Sequence, residues 1–439
     1  MSVRILTARP HRLFPAVVKE LGMLEKQGQK VILLVPEQFT LAAEQELMRR
    51  LHLDSLFLID VLSPSRLYER VLSVAGRDGR EPLDDSGRRM AIGQALEKLD
   101  DKLPYYGSIM NLRGFVEKLS ALLTDMKRGG LTPDALEQYA NSLDDAMQKA
   151  KISDLAQIYA QYQSVLGGRF SDSEDQLTFV AGKLEQSGCL SGQHLYVYGF
   201  DTLPEQLMQM LQSAALLCES LTIALICDGE SAMDGEIYTP IRQGIGRFTA
   251  MLAKDGLAVR QIPLPREPLA HAPAINHLDQ HLFSRKLSAL SESPEGIYLS
   301  ESLSPFEEAT QMSRQVLWLV SQGVKLENIT VLYPDSDGYE FAVTSALTDS
   351  GIPFYTDHQM PASSPGLVQF LLSALRAMAD GWRNRDMLPL IKSGYAPFTF
   401  EEACDLENYV HTCGIDRTRW TQPFIRVSRN DPQQHQRCE

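Results

Sequence analysis

The sequence predicts an α/β protein whose parallel sheets are interrupted by long helical insertions. Strand and helix patterns alternate over the first 62 residues, return at about 191–263, and begin again near residue 297. Residues 64–190, between the first two regions, show helical periodicity and almost no strand-like run. Alternating strands and helices favour parallel sheets with right-handed crossovers, so the helical stretch is interpreted as an insertion into one sheet.

The first region has the pattern strand, helix, strand, helix, strand. A short strand is predicted at residues 3–7 and an amphipathic helix at 13–27. The continuous apolar run at 31–35 is typical of a strand that is covered on both faces. A helix at 40–51 and a third strand at 56–62 complete the pattern. This order of elements indicates a doubly wound sheet.

Strands resume after the insertion, at residues 195–198 and 221–227, with a helix at 207–217 between them. Residues 264–296 are rich in Pro, Ser and His and are interpreted as a linker. A second α/β unit is predicted beyond it, with strands at three segments: residues 297–300, 329–333 and 352–355.

A helix of this second unit has clear start and stop signals. Ser304 and Glu307 form the pattern of a capping box, with Pro305 at the first helical position. Gly323 stands where a glycine commonly follows a helix. The spacing predicts a buried face made of Phe306, Ala309, Met312, Val316 and Val320.

Composition excludes several classes of protein. Hydrophobic residues make up 44% of the chain and charged residues 22%, which are values of a folded globular protein. No apolar run reaches the roughly 18 residues of a membrane span, and the N-terminus lacks the pattern of a signal peptide. Six dispersed cysteines indicate a reducing cytoplasm and neither a disulfide framework nor a zinc module.

The net charge of −14 disfavours a protein that coats DNA by charge alone. The charge is uneven, because residues 1–66 carry nine Lys or Arg against seven Asp or Glu, and residues 376–439 carry nine of each. The acidic middle of the chain is interpreted as solvated surface. Any contact with a polyanion is therefore expected in the terminal regions or in a local groove.

The first strand is not followed by a phosphate-binding loop. A P-loop needs glycines and a lysine after the strand, but residues 6–13 contain neither, and Pro10 lacks an N–H donor. Arg9 and Arg12 leave open an arginine-based phosphate site. After the fourth strand a single acidic residue, Asp201, replaces the acidic pair that would hold Mg²⁺. Asp201 is interpreted as a helix N-cap ahead of Pro204.

Other motifs are weak. A nuclease pattern of carboxylates with a lysine occurs around Asp84, at residues 100–102 and at residues 125–127, but in helical sequence, so these are interpreted as helix charges. Gly244 and Gly246 are interpreted as a turn. No histidine or cysteine pair has the spacing of a metal site. We therefore predict neither catalytic nor metal-binding residues.

Residues at the carboxyl ends of the predicted strands are more informative, because ligands of open parallel sheets bind there. The loops after the second, third and fourth strands carry Gln38 and Thr40, Arg66, and Phe200, respectively. Amides, hydroxyls, an arginine and aromatic rings suit single-stranded nucleic acid, whose bases stack on rings. Helix capping and core packing are the alternative explanation of the same residues.

The chain resembles the B subunit of the AddAB-type ATP-dependent helicase–deoxyribonuclease of bacteria. The resemblance covers nearly the whole chain and rests on a combination of segments. These are residues 35–40 (VPEQFT), 62–67 (LSPSRL), 151–159 (KISDLAQIY), 172–175 (DSED), 198–201 (YGFD), 351–357 (GIPFYTD) and 406–410 (LENYV), together with Trp420.

The resemblance implies two RecA-like domains of superfamily 1 helicase type with large helical insertions. The implied boundaries are 1–63 and 191–263 for the first RecA-like domain, 64–190 for its insertion, 264–296 for a linker, 297–375 for the start of the second RecA-like domain, and 376–439 for the start of its insertion. The resemblance also implies a nuclease domain with an iron–sulfur cluster and Mg²⁺ beyond residue 439, so the chain is expected to be an N-terminal fragment that holds neither cofactor.

In this family the B subunit is a helicase-like scaffold, while an A subunit hydrolyses ATP. Gln38, Thr40, Arg66 and Phe200 match by position its DNA-facing surface. Our leading hypothesis is therefore a DNA-binding scaffold in a cytoplasmic repair and recombination nuclease, which prefers single-stranded DNA, pairs with the A subunit, and is inactive alone. An NTPase that uses Arg9 and Arg12, or a pure protein-interaction platform, are the alternatives.

Overall fold

The structure is a computed structural model that describes residues 2–76, 79–99, 102–110, 112–171, 175–227, 237–265, 273–283, 288–290, 294–356, 366–427 and 438. The chain divides into two compact units, Met1–Tyr298 and Leu299–Glu439. None of the helices in these described ranges combines the length and apolar character that a membrane span requires.

The first unit contains all eight strands of the described residues and eleven α-helices. The strands are β1 (Ser2–Ala8), β2 (Val31–Leu34), β3 (Ile59–Leu62), β4 (Glu81–Pro82), β5 (Phe170–Ser171), β6 (His194–Tyr198), β7 (Ser220–Ile226) and β8 (Val259–Pro263). The helices are α1 (Pro10–Lys26), α2 (Thr40–Leu51), α3 (Pro64–Ala75), α4 (Asp85–Lys98), α5 (Arg113–Arg128), α6 (Pro133–Asn141), α7 (Ala146–Leu166), α8 (Asp175–Ser187), α9 (Glu205–Ala215), α10 (Thr239–Lys254) and α11 (Pro273–His281).

Six of the strands form one sheet in the order β3-β2-β6-β7-β1-β8. Every neighbouring pair is parallel, and β2 pairs with both β3 and β6. The five strands that the apolar runs predict in this unit are confirmed. β8 has no such run because it is an edge strand that pairs with β1 alone and leaves several side chains exposed. A sheet with this order is consistent with a RecA-like α/β fold.

Helices cover the sheet on both faces, and each face has its own apolar core. One core joins the sheet to α1 and α2, with Leu13, Val17 and Leu47 buried in it. The other core joins the opposite face to α3, α8, α9 and α10. The run at residues 31–35 supplies side chains to both cores, which explains why it is apolar at every position.

A polar network fixes α1 on its face of the sheet. The Arg4 guanidinium of β1 donates to the Glu20 carboxylate of α1 at 2.8 Å, to the Tyr196 hydroxyl at 3.1 Å and to the Thr222 hydroxyl at 2.9 Å. The Tyr196 hydroxyl also donates to Glu20 at 2.8 Å. Burial and this bond to Glu20 raise the pKa of Tyr196 to about 12. Three strands and one helix are thereby tied together.

The insertion between β3 and β6 is helical, as predicted, except for β4 and β5, a parallel pair of two residues each. Its core lies between α4, α5 and α7. Asp154 of α7, only 1% exposed, accepts hydrogen bonds from the backbone N–H groups of Tyr105 at 2.8 Å and Tyr106 at 3.0 Å. The carboxylate thus holds the turn at residues 104–110 against α7.

Residues 264–296, interpreted above as a linker, contain the helix α11 among their described positions. Leu264 continues from β8 along β1, with its N–H donating to the Thr7 carbonyl at 2.8 Å. The buried residue of α11 is Ala274. Leu264 and α11 therefore belong to the first unit, although the composition of the stretch is typical of a linker.

The second unit is helical in its described residues. Its helices are α12 (Pro305–Ser321), α13 (Ser336–Asp349), α14 (Gly366–Ala379), α15 (Asn384–Lys392) and α16 (Phe400–Cys413). One core joins α12 to α13, and another joins α15 to α16. Asp357, the last residue of the GIPFYTD segment, lies outside the described residues.

The strands predicted at residues 297–300, 329–333 and 352–355 do not form, so the prediction of a second sheet is wrong for the described residues. Ile329, Val331 and Ile352 do pack on α12 and α13, while Leu332 is 89% exposed. Alternate side chains of residues 329–333 therefore meet the helices although no strand forms there. A strand also needs the backbone groups of a neighbouring strand, and the segments have none here.

The ends of α12 agree with the sequence better than its face does. The Ser304 hydroxyl accepts from the Glu307 N–H at 3.3 Å, but the Glu307 carboxylate accepts from the N–H of Leu303, so the reciprocal capping bond is absent. Gly323 follows the C-cap with φ of +91°. Ala309 and Val316 are buried as predicted, whereas the predicted face is wrong at Phe306 and Val320, which are exposed.

Candidate nucleic-acid interface

The carboxyl ends of β3, β2 and β6 lie side by side because β2 pairs with both of the other strands. The loops that follow these strands therefore meet at one edge of the sheet, where open parallel sheets bind ligands. We call the three loops, residues 35–40, 63–66 and 199–201, the carboxyl-edge surface. Two sets of contacts hold its loops together.

Glu37 joins the loop after β2 to the loop after β3. Its carboxylate accepts hydrogen bonds from the Ser65 backbone N–H at 2.9 Å and from the Ser65 hydroxyl at 2.9 Å. Ser63, the N-cap of α3, accepts from the Arg66 N–H at 3.3 Å. A carboxylate and a hydroxyl are favourable at a helix start because the first N–H groups have no partner in the helix. These two residues therefore fix the position of Arg66.

Gly199 brings the loop after β6 against the loop after β2. Its φ is +84°, and a Cβ at this position would lie 3.1 Å from Cδ of Pro36 and 3.8 Å from the ring of Phe39. Only glycine accepts this conformation without strain or contact. The Tyr198 ring lies 5.6 Å from Phe39 and 4.7 Å from Phe14, and burial raises the pKa of Tyr198. The rings of Phe14, Phe39 and Tyr198 thus pack together where these two loops meet.

Gln38 and Arg66 are the two predicted site residues that reach solvent. Gln38 is exposed, and the Arg66 side chain is 55% exposed. The Arg66 guanidinium lies 3.3 Å from the Glu44 carboxylate of α2. Glu37 and Glu44 are acidic groups at this surface that sequence reasoning missed, and their charges oppose an approaching phosphate. Glu37 lies one residue before Gln38, and Glu44 lies one helical turn after Thr40. This proximity in the sequence could have identified both residues.

Thr40 and Phe200 are packed instead. Thr40 is 8% exposed, and its hydroxyl donates to the Glu37 carbonyl at 3.2 Å at the start of α2. Phe200 is half-buried against the core that includes α9. The structure therefore brings all four residues to one edge of the sheet, but divides them into an exposed pair and a pair whose side chains support the loops.

The end of β1 carries a different arrangement. Arg9 follows β1 directly and is the N-cap of α1, with Pro10 at the first helical position. The Arg9 side chain is only 10% exposed, and its guanidinium contacts the Asp279 carboxylate of α11 at 2.8 Å and also donates to the Asp279 backbone carbonyl. A carboxylate therefore occupies the position at Arg9 where a phosphate would have to bind.

Two interpretations of single residues are wrong. Asp201 is exposed and is not a helix cap, because Pro204 is the N-cap of α9. Gly244 and Gly246 lie inside α10 and not in a turn. Asp84 does have the structural role expected of it, since it accepts from the Gly87 N–H at 2.7 Å at the start of α4.

Metal-binding groups are absent from the described parts of the chain: no three His, Cys, Asp or Glu side chains converge there. An iron–sulfur cluster requires four converging thiolates. The six cysteines are dispersed over both units, with only Cys404 and Cys413 on one helix, and burial raises the pKa of the Cys218 thiol to about 11. A thiol in this environment is a poor ligand. These residues do not fit the cluster.

The comparison with known proteins agrees with the motifs. The model of a family described as "ADDB, N-terminal" matches residues 11–279. Proteins named as the B subunit of an ATP-dependent helicase/deoxyribonuclease are similar to the chain: 27% identity for that of Clostridium tetani, over 90% of this chain and 36% of its own length, and 30% for that of Pelotomaculum thermopropionicum, over 96% and 38%. The relative from Symbiobacterium thermophilum is 29% identical, over 90% and 35%.

The chain spans little more than a third of the length of these curated relatives. The family match begins within α1, after β1, and ends within α11, so it contains the other five strands of the sheet, the helical insertion and the whole carboxyl-edge surface. The match covers more than half of the chain, and the relatives extend it through the second unit. The chain therefore belongs to the ADDB N-terminal family, as its motifs predict.

Proposed function

We propose that this chain is the DNA-binding, helicase-like scaffold portion of the B subunit of a bacterial helicase–nuclease that acts in double-strand-break repair and recombination. The observation that carries the proposal is the carboxyl-edge surface: three loops after adjacent parallel strands, tied together by Glu37 and Ser65 and by the packing of Gly199 on Pro36. The names of the relatives support the assignment to a helicase–nuclease.

Three finer points belong to the same proposal. The chain pairs with an A subunit in a heterodimer, prefers single-stranded DNA, and works in the cytoplasm. Its architecture follows the superfamily 1 helicases, with residues 1–63 and 191–263 as one RecA-like domain, residues 297–375 as the start of another, and helical insertions at 64–190 and 376–439. The sheet of the first unit, which is consistent with a RecA-like fold, supports the architecture, and the subunit names of the relatives support the pairing with another subunit.

Binding at the carboxyl-edge surface is expected to be modest. Gln38 and Arg66 are the exposed contacts, and two carboxylates lie beside them. With a net charge of −14, the chain gains little from long-range attraction to DNA. Affinity then comes from a few short contacts to phosphate and base.

Replacing Arg66 and Glu44 should change DNA binding in opposite directions. Arg66→Ala removes one phosphate contact and should lower the slope of log affinity against log salt by about one unit. Glu44→Gln removes a competing carboxylate, so binding should strengthen by about twofold to fivefold at low salt. The measurement is fluorescence anisotropy with a labelled single-stranded oligonucleotide at several salt concentrations.

Arg49→Ala is the matched control, because Arg49 is an exposed arginine in the last turn of α2. It should leave the affinity and the slope unchanged. Identical binding by Arg66→Ala and the parent protein would remove Arg66 from the interface. If the parent protein binds no oligonucleotide at low salt, the DNA-binding proposal itself is wrong.

The scaffold role also predicts that the chain does not hydrolyse ATP. Phosphoryl transfer needs a phosphate clamp and a positioned Mg²⁺, while residues 6–13 lack the glycines and lysine of a P-loop and Asp279 holds Arg9. Phosphate release should stay at background with and without DNA, also in Asp279→Ala, which removes the carboxylate from the Arg9 guanidinium. DNA-stimulated hydrolysis that Arg9→Ala abolishes would favour the NTPase alternative.

A protein-interaction platform is the second candidate, favoured by an apolar stripe along α14. The stripe consists of four exposed side chains on one helical face: Leu367, Leu371, Leu375 and Met378. Exposed apolar stripes of this kind mark contacts with other polypeptides. The DNA titration separates the candidates, because a pure platform should not bind the oligonucleotide.

A further inference from the structure

The second unit contains a junction of two loops that is held by its own hydrogen bonds. The loop before α15 meets the loop after α16, and the Arg417 N–H donates to the Trp382 carbonyl at 3.0 Å. Asn384 donates through its backbone N–H to the Asp416 carboxylate at 3.0 Å. The Trp420 indole N–H donates to the Asn384 side-chain carbonyl at 2.8 Å. These three hydrogen bonds therefore join the two loops.

Two residues of this junction have a backbone conformation that side chains rarely adopt. Trp382 has φ of +61° and Arg417 has φ of +54°, and neither is a glycine. Such conformations persist only where surrounding contacts enforce them, and they concentrate at functional sites. Here a backbone hydrogen bond joins the two residues directly. It places an indole and a guanidinium on the same junction.

Arginines are concentrated at this junction. Five of them lie in or beside its loops: Arg383, Arg385, Arg417, Arg419 and Arg426. The described carboxylates among them are three: Asp380, Asp386 and Asp416. The junction is therefore locally positive in a chain whose net charge is −14. A locally positive surface favours an anionic partner over a cationic one.

The five arginines differ in the hydrogen bonds and ion pairs that they form within the chain. Arg419 and Arg426 each donate at 2.6 Å to a carbonyl at the end of α16, and so stabilise that helix end. Arg385 pairs with Asp380 at 2.8 Å. Arg417 is 64% exposed and lies 4.0 Å from Asp416. These contacts leave Arg417 available to a ligand.

Arg383 is the unusual member of the set. Its Nε is buried and has no hydrogen-bond partner among the described residues. Arg383 lines a cleft of ≈ 370 Å³, together with Asn384, Arg385, His411 and Asp416. A buried guanidinium N–H without an acceptor is costly, so an acceptor that the described residues do not supply would complete this site.

We propose that this cleft, together with Trp382 and Arg417 of the adjoining loops, binds the sugar–phosphate backbone of a single-stranded nucleic acid. Arg383 and Arg417 contact phosphate oxygens, and the Trp382 indole, which is partly exposed directly before Arg383, stacks on a base. An indole beside guanidinium groups suits a chain that alternates phosphates and bases better than it suits an acidic protein segment. This contact is additional to the carboxyl-edge surface and does not depend on it.

The test uses the full chain and a labelled oligothymidylate of about 20 nucleotides, which is long enough for one such site. Arg383→Gln and Arg417→Gln should each weaken binding by about threefold to tenfold and lower the salt slope by about one unit. Arg417→Lys, which keeps the charge, should restore most of the binding. Arg314→Gln is the matched control, because Arg314 is an exposed arginine on α12 of the same unit.

A second measurement reports on Trp382 directly. DNA should quench part of the tryptophan fluorescence of the chain, which has three tryptophans, and Trp382→Phe should remove that part. Unchanged binding and salt slope in Arg383→Gln and Arg417→Gln, with normal thermal unfolding, would overturn the proposal even if Arg66→Ala weakens binding. Equal competition by polyglutamate would also overturn it, because the cleft would then be a site for any polyanion.

Discussion

Asp154→Ala should destabilise the helical insertion by about 2–4 kcal/mol, because two backbone N–H groups lose their acceptor at once. Both bonds, from Tyr105 and Tyr106, go to the same oxygen, Oδ2, of a side chain that is 1% exposed. Water cannot replace a buried carboxylate without opening the turn at residues 104–110. Hydrogen exchange of the amides in α4 and α7 measures the effect, since these helices form the core beneath the turn.

Two variants make this result specific. Asp154→Asn keeps one oxygen in place without its charge, so the loss should be smaller than for alanine. Asp144→Ala removes an exposed carboxylate from the same insertion and should change exchange little. If Asp154→Ala exchanges like the parent protein, the carboxylate does not hold the turn. The 151–159 segment, on which the family resemblance rests in part, would then have another structural role.

The sheet of the first unit could be predicted because its sequence carries the signal locally. A strand buried on both faces must be apolar at every position, as residues 31–35 are, and the predicted strands there formed. The two ends of α12 were predictable for a similar reason. The backbone groups at the two ends of a helix lack partners within it, and Ser304 and Gly323 lie at those ends, so the signal is again local.

The second unit shows the limit of that reasoning. Residues 329–333 alternate as a strand would, and their inward side chains pack on α12 and α13, yet no strand forms. Side-chain alternation states which face is covered, but a sheet also depends on backbone groups contributed by distant segments. Phe306 shows the same limit on a helix. It lies on the apolar face of α12 and is still exposed, because burial requires a neighbour that the spacing does not specify.

The candidate site was predictable in position but not in detail. The rule that ligands bind at the carboxyl ends of parallel strands placed Gln38, Arg66 and Phe200 at one edge, since β2 pairs with β3 and β6. Which of them reach solvent depends on packing between loops far apart in the sequence. The pairing of Arg9 with Asp279 joins residues 270 positions apart, and no local sequence pattern predicts it.

Gly199→Ala should disrupt the packing of the loop after β6 on the loop after β2. The new Cβ would lie 3.1 Å from Cδ of Pro36, at a φ of +84° that alanine rarely adopts. The strain and the contact together should cost about 1–3 kcal/mol of stability. Because the loop after β2 carries Gln38 and is tied through Glu37 to the loop with Arg66, DNA binding should weaken as well. Thermal unfolding and oligonucleotide anisotropy measure the two effects on the same sample.

Gly28→Ala separates backbone strain from the contact with Pro36. Gly28 has φ of +73°, and nothing lies within 4 Å of a Cβ at that position, so its replacement adds strain alone. Gly199→Ala should therefore cost more than Gly28→Ala, and only Gly199→Ala should affect DNA binding. Pro36→Ala removes the Cδ atom and should recover part of the loss when combined with Gly199→Ala, as expected for residues in contact. If the two losses simply add, the close approach of these loops does not shape the carboxyl-edge surface.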